Sequence, residues 1–253
     1  MLKKEEHGGV AVITLEHGPV NATDTAALRA ITAEFSALNG PEGPAAVVFT
    51  GSGRAFSAGV DLRAMLAGGP PYLAEFLPAL DEACLALFTL DKPMVAAVNG
   101  HAIAGGCVLA CCADLRVMAS GRGRIGVPEI KVGVPFPRVP LEMLVHAVGP
   151  KVAQRLVYGA DAVTPEEALT LGLVDEVVDP EALLERSIAL AAELAERAPA
   201  DTFAMSKWQL RRDTLDRIAR YQEYEYQRLV SIWERRTSDS WTADYLAAAT
   251  RKS

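Results

Sequence analysis

A run of about eighteen uninterrupted apolar residues, the length a bilayer-crossing helix requires, occurs nowhere in this 253-residue chain, so no membrane span is predicted. Positive charge is also short. Lys and Arg number 25 against 32 Asp and Glu, for a net charge of −7, the wrong balance for a nucleic-acid surface. An anionic ligand would have to meet a local basic patch. Cysteine is scarce: Cys84, Cys107, Cys111 and Cys112 carry no CxxC spacing, and three of them share the apolar run AGGCVLACCADL with no pair of His nearby. They read as small buried hydrophobes, and no metal is expected. No low-complexity linker divides the chain. Its first residues, MLKKEEHGGVAVITLE, place charges where a signal peptide has its apolar stretch, which gives a cytoplasmic expectation. Residues that are 50% hydrophobic can build one substantial core.

The first half alternates strand, turn and helix about every fifty residues. VAVITL (10–15), AVVFT (46–50), MVAAV (94–98) and LRVM (115–118) are β-branched or apolar runs that read as strands. Thr23 or Asp24 can cap a helix reaching Leu38. Leu73, Phe76, Leu77, Leu80, Cys84, Leu87 and Phe88 recur at helical spacing between Tyr72 and Leu90, and Gly105-Gly106 opens an apolar helix through Cys112. The second half is more helical. Thr164-Pro165-Glu166-Glu167 is a capping box, Asp179-Pro180-Glu181 opens a helix to about Arg197, and helix formers dominate from Asp201 onward. The predicted organisation is a core over residues 1–195 and a helical C-terminal region over 196–253, whose aromatic residues suggest a subunit contact.

Two loops rich in small residues follow two of the strands: Arg54-Ala55-Phe56-Ser57-Ala58-Gly59-Val60-Asp61-Leu62, and Asn99-Gly100-His101-Ala102-Ile103-Ala104-Gly105-Gly106-Cys107. Small side chains let a ligand approach the backbone, and free N–H groups at a helix start suit a developing negative charge. Either loop alone is equally a tight turn or a close helix contact. Together, FSAGVDL and AAVNGHAIAGGC, followed by PEIKVGV, resemble the signature of the enoyl-CoA hydratase/isomerase (crotonase) family. The likeness runs from VITL and PVN through ALTLGLVDEVV and weakens after about residue 210.

That resemblance implies an α/β spiral of ββα units with a helical trimerisation region, assembled as a homotrimer or a dimer of trimers and acting on acyl-CoA. Coenzyme A then belongs to the substrate, and no separate cofactor is implied. By motif position, the N–H groups of Ala58 and Gly105 hold the thioester oxygen, and Glu129 of the Pro128-Glu129 pair is the catalytic base. Arg54, Phe56, Ser57, Asp61, Leu62, Gly106, Val108 and Phe136 complete the expected substrate-binding set. Hydratase members place a second glutamate where this chain has Val108, and a glycine-rich stretch where it has Val134-Pro135-Phe136-Pro137. An apolar residue after AGGC, a single Glu in the later motif and an early PVN resemble the Δ3,Δ2-enoyl-CoA isomerases, whose double-bond shift needs one base and a stabilised dienolate. The alternatives are weak hydration, thioester hydrolysis or decarboxylation on the same scaffold, or a silent acyl-CoA binding protein.

Other residues attract attention and yield less. Gly121-Arg122-Gly123-Arg124-Ile125-Gly126 satisfies GxGxxG, but the prolines that follow leave no helix to open at its third glycine. His101 lacks an identifiable carboxylate partner, and Asp61 also suits a helix cap. Arg54, Arg63, Lys92, Lys207, Arg211 and Arg212 are the candidate contacts for coenzyme A phosphates.

Overall fold

The structure, a computed structural model, describes residues 1–40 and 42–250. The first part of the chain forms β1 (Leu2–His7), β2 (Val10–Leu15), β3 (Ala22–Thr23), α1 (Thr25–Leu38), β4 (Ala46–Gly51), β5 (Ala55–Ser57), β6 (Gly59–Val60) and α2 (Leu62–Phe88). It continues through β7 (Met94–Val98), β8 (His101–Ile103), α3 (Gly105–Cys111), β9 (Leu115–Ala119), β10 (Ile125–Gly126), α4 (Glu129–Val132) and α5 (Arg138–Gly159). Then come β11 (Ala162–Val163), α6 (Pro165–Leu171), β12 (Glu176–Val178), α7 (Leu183–Glu196), α8 (Ala200–Ser238) and α9 (Ser240–Thr250).

The main sheet has the order β1-β2-β4-β7-β9-β12, and a second sheet the order β11-β10-β8-β5. Each turn of the chain gives one strand to the main sheet and the next to a smaller sheet, then a helix. Thus β4, β5 and α2 form one turn, and β7, β8 and α3 the next. This is the expected ββα spiral. The repeat is less even than fifty residues, because α3 is only 7 residues long and brings β9 in early.

The parallel strands are buried on both faces, which is why they read as unbroken apolar runs. Period-two alternation splits them. Ala11, Ile13, Val47, Phe49, Ala96 and Val98 face the large core under α1, α2 and α3. Val10, Val12, Val48, Val95, Ala97 and Val117 face a smaller core closed by Leu183, Leu190 and Ala191 of α7. Phe35, Phe49 and Phe56 stack edge-to-face at 5.2 and 5.3 Å between centroids, each pair adding about 1 kcal/mol beyond its burial.

Several terminal signals act as expected. Asp24 Oδ1 accepts from the Ala27 N–H at 2.8 Å to cap α1, and Thr164 and Glu167 close a reciprocal capping box on α6. Four elements differ from the sequence expectation. β1 is a charged, mostly exposed edge strand, antiparallel to β2. α4 is a single turn. α5 starts at Arg138 rather than near Leu141. Also, α7 opens at Leu183 from Ala182 without a side-chain cap, so the Asp179-Pro180-Glu181 signal precedes the helix instead of starting it.

Candidate active site

The two small-residue loops meet. Gly59 has φ +80°, and a Cβ there would lie 2.9 Å from the Gly105 nitrogen, against the Ile103 carbonyl as well. A Cβ on Gly106 would collide with the Ser57 carbonyl. Glycine is required at both positions because the loops cross at backbone distance. Buried Asn21, itself at φ 52°, staples the first loop in place. Its amide donates to the carbonyls of Ser52 (3.0 Å) and Ala55 (2.8 Å), while its backbone carbonyl accepts from the Ser57 hydroxyl at 2.7 Å. The early PVN motif is therefore scaffolding for the loop at 52–59.

Beside the crossing lies an apolar cavity of about 90 Å³. Of the expected residues, Ala58, Leu62, Gly105, Val108, Glu129 and Phe136 line it. Val108 sits one helical turn beyond Ala104, with its N–H donating to the Ala104 carbonyl at 3.2 Å. Trp233 of α8 and Tyr245 of α9 also line the cavity. They come from the region where the family likeness is weakest, and no spacing pattern in the sequence ties an aromatic residue there to a loop some hundred residues away.

Glu129 opens α4 and is 7% exposed. Its Oε2 has no hydrogen-bond partner among the described residues. Burial in this apolar wall pushes its carboxyl up to about 8, as expected where no cation repays the lost hydration. The nearby Lys131 is drawn away into an ion pair with Asp161. The result is a carboxylate poised to hold or release a proton near neutral pH. The Gly105 N–H, at the start of α3, has no acceptor within the described residues, so a carbonyl oxygen in the cavity can take it.

The other expected site residues are placed differently. The Ala58 N–H already donates to the Val20 carbonyl at 2.9 Å, so the resting loop does not present two free donors. Phe56, 1% exposed, belongs to the aromatic core stack and does not reach the cavity. The Ser57 hydroxyl is fully buried between the Asn21 carbonyl and the Gly59 N–H, which donates to it at 3.1 Å. Asp61 caps α2, accepting from the N–H groups of Arg63 (2.9 Å) and Ala64 (3.0 Å). Gly106 packs against Ser57, outside the cavity lining.

The candidate phosphate contacts also separate. Lys207 and Arg211 are buried, and both pair with Asp114 at 2.7 Å, so they serve the core beneath α8. Lys92 donates to the Gly40 carbonyl and Arg212 pairs with Asp216. Arg54 and Arg63 remain exposed, flanking the loop at 55–62. His101 is exposed, and its pKa is lowered by partial burial and by Arg124 and Arg54. The GxGxxG segment ends in strand β10, with no helix opening at Gly126. All four cysteines are free and buried. No cluster of His, Cys, Asp or Glu suited to a metal occurs among the described residues, and no helix among them is long and apolar enough to cross a membrane.

A ββα spiral with a buried carboxylate facing two crossing glycine loops is the arrangement the motifs implied, and comparison with known proteins agrees. The profile of the enoyl-CoA hydratase/isomerase family matches residues 5–244, and the chain belongs to that family of enzymes. It is 31% identical over 234 residues to the mitochondrial enoyl-CoA delta isomerase 1 of Mus musculus, covering 92% of this chain and 81% of that one. It is 33% identical over 198 residues to a crotonyl-CoA hydratase of Syntrophomonas wolfei, covering 78% and 75%. Its fold superposes on the crystal structure of human mitochondrial delta3-delta2-enoyl-CoA isomerase with a TM-score of 0.92 at 27% identity, covering 99% of this chain and 98% of that one.

Proposed function

We propose that this protein is a Δ3,Δ2-enoyl-CoA isomerase in which Glu129 carries a proton from C2 to C4 of the acyl chain. The observation that carries this reading is a single buried carboxylate among the described residues of an otherwise apolar cavity, with Val108 where hydration would need a second. The thioester oxygen accepts from the Gly105 N–H. The Ala58 N–H joins by sharing its bond to Val20 in a three-centre arrangement. The Glu129 carboxylate removes a C2 proton, and the electron pair moves through C1 onto the thioester oxygen as a dienolate. The same carboxyl then returns the proton to C4, leaving the double bond between C2 and C3. Coenzyme A enters as part of the substrate, with Arg54 and Arg63 the exposed cations best placed for its phosphates.

A silent binding module has no use for Glu129, since ionising a carboxyl in that wall costs stability and adds nothing to binding. An absorbance assay discriminates the enzymatic readings. The purified protein should convert a 3-enoyl-CoA to the 2-enoyl-CoA and leave the 2-enoyl-CoA unhydrated; efficient hydration would refute the assignment. Assembly as a homotrimer or dimer of trimers is supported by exposed Trp208, Leu210 and Tyr224 on α8. Sedimentation at micromolar concentration should give a multiple of three chains, and a clean 27.0 kDa species would exclude it. The free, buried cysteines support a reducing compartment such as the cytoplasm.

A further inference from the structure

Among the described residues, Tyr245 is the one side chain that lines both the apolar cavity and an outer cleft of about 500 Å³ beside Lys131, Arg236 and Asp244. The two spaces share this residue as a common wall. We propose that Tyr245 is a partition that limits the acyl group to a short chain, a reading that rests on the acyl-CoA assignment above.

The partition is held rather than merely present. α9 is tied to the segment that carries Glu129: the Trp241 indole N–H donates to the Lys131 carbonyl at 3.0 Å, and the Thr242 hydroxyl to the Val132 carbonyl at 3.0 Å. Swinging Tyr245 aside by moving α9 would break both bonds and disturb the base segment. The neighbouring wall is equally fixed. Trp233, 2% exposed, donates its indole N–H to the Pro135 carbonyl at 2.9 Å, so rotating it away to make room would cost that bond.

The volume of the cavity sets the scale. An apolar cavity of about 150 Å³ accommodates benzene, or about 25 Å³ per carbon. The 90 Å³ available here then holds about four carbons, and a tail beyond that would have to pass through the Tyr245 ring. On the far side, the cleft's volume of about 500 Å³ can take the rest of a longer tail. Removing the ring should join the two spaces without touching Glu129, Gly105 or Val108.

The test compares four-carbon and ten-carbon 3-enoyl-CoA substrates with wild type, Tyr245→Phe and Tyr245→Ala. It also measures calorimetric dissociation constants for the saturated acyl-CoA thioesters of the same lengths. Each methylene excluded from a pocket is worth roughly tenfold or more in kcat/KM. Wild type and Tyr245→Phe should therefore favour the four-carbon substrate by at least about 10²-fold, and Tyr245→Ala should raise the ten-carbon to four-carbon ratio by at least about tenfold. The dissociation constants should shift the same way. Tyr245→Leu, smaller than Tyr but apolar and helix-compatible, serves if the Ala variant melts below assay temperature, and should give an intermediate ratio. Equal use of both lengths by wild type, or a change in both by one common factor, overturns the partition. If neither 3-enoyl-CoA is isomerised while the binding constants still shift with the variant, the partition stands and the isomerase reading falls.

Discussion

Replacing Glu129 with Gln keeps the size and polarity of the side chain and removes its proton chemistry, so it separates the group's two effects. Folding raises the Glu129 carboxyl from 4.5 to about 8, which amounts to about 5 kcal/mol against the ionised form. The sign follows from linkage. The folded state holds the proton more tightly than the unfolded chain, so Glu129 costs nothing below pH 4.5 and its penalty accrues as pH rises toward 8. At pH 5 the cost is about 1 kcal/mol and at pH 8 about 4 kcal/mol. The Glu129→Gln variant has no such dependence. Its stability relative to wild type should thus improve by about 3 kcal/mol across that interval, seen as a gain of roughly 10 °C in relative melting temperature. Activity should move the opposite way, with isomerisation falling by at least about 10²-fold while acyl-CoA binding survives. In wild type, kcat/KM should climb with pH and level off above about 8, as the base form becomes populated. Thermal melts of both proteins over this pH range, alongside 3-enoyl-CoA turnover, make the assay. A stability difference flat with pH would mean that Glu129 is not held protonated by burial, and near-normal turnover by the variant would remove it from the mechanism.

Val108→Glu places a second carboxylate on the cavity wall one turn beyond the Gly105 loop, and should give measurable hydration of a 2-enoyl-CoA where wild type gives almost none. The cost of burying another carboxyl, several kcal/mol, keeps that activity small; efficient hydration by wild type itself would refute the argument. Asp114→Ala should destabilise the fold by about 3–5 kcal/mol, because it leaves Lys207 and Arg211 buried without their shared counter-ion. Denaturant unfolding checks this, and a loss under about 1 kcal/mol would show the two cations find other partners.

How much of this is legible in the sequence depends on whether a residue's role is local. Val10–Leu15 and Met94–Val98 match their observed strands because both faces are buried, leaving unbroken apolar runs. Asp24 and the Thr164 box speak through their immediate neighbours and are equally readable. LKKEEH is not, since β1 is stabilised by backbone pairing to β2 and its exposed side chains carry no period. Phe56 and Ser57 sit in a ligand-like motif and so suggest a ligand contact, yet in β5 their side chains turn into the core. Lys207 and Arg211 resemble surface cations, but their partner Asp114 lies some ninety residues earlier, beyond any local pattern. Trp233 and Tyr245 stand out in the sequence only as part of an aromatic-rich helical tail. Their place in the cavity arises from the way α8 folds back over α2 and α5, and α9 over α4, a tertiary fact with no periodic trace.

The bonds from Trp241 and Thr242 to the segment after Glu129 also order events in time during synthesis. A growing chain has made its main sheet, both glycine loops and the glutamate well before α9 leaves the ribosome. Until then, the whole of α9 is missing from the cavity wall, and the segment after Glu129 lacks the two bonds that tie it down. A nascent chain can thus fold much of its core while the segment that carries its proton-transfer group is still untied. The Glu129 segment is fixed late, with the arrival of Trp241 and Thr242.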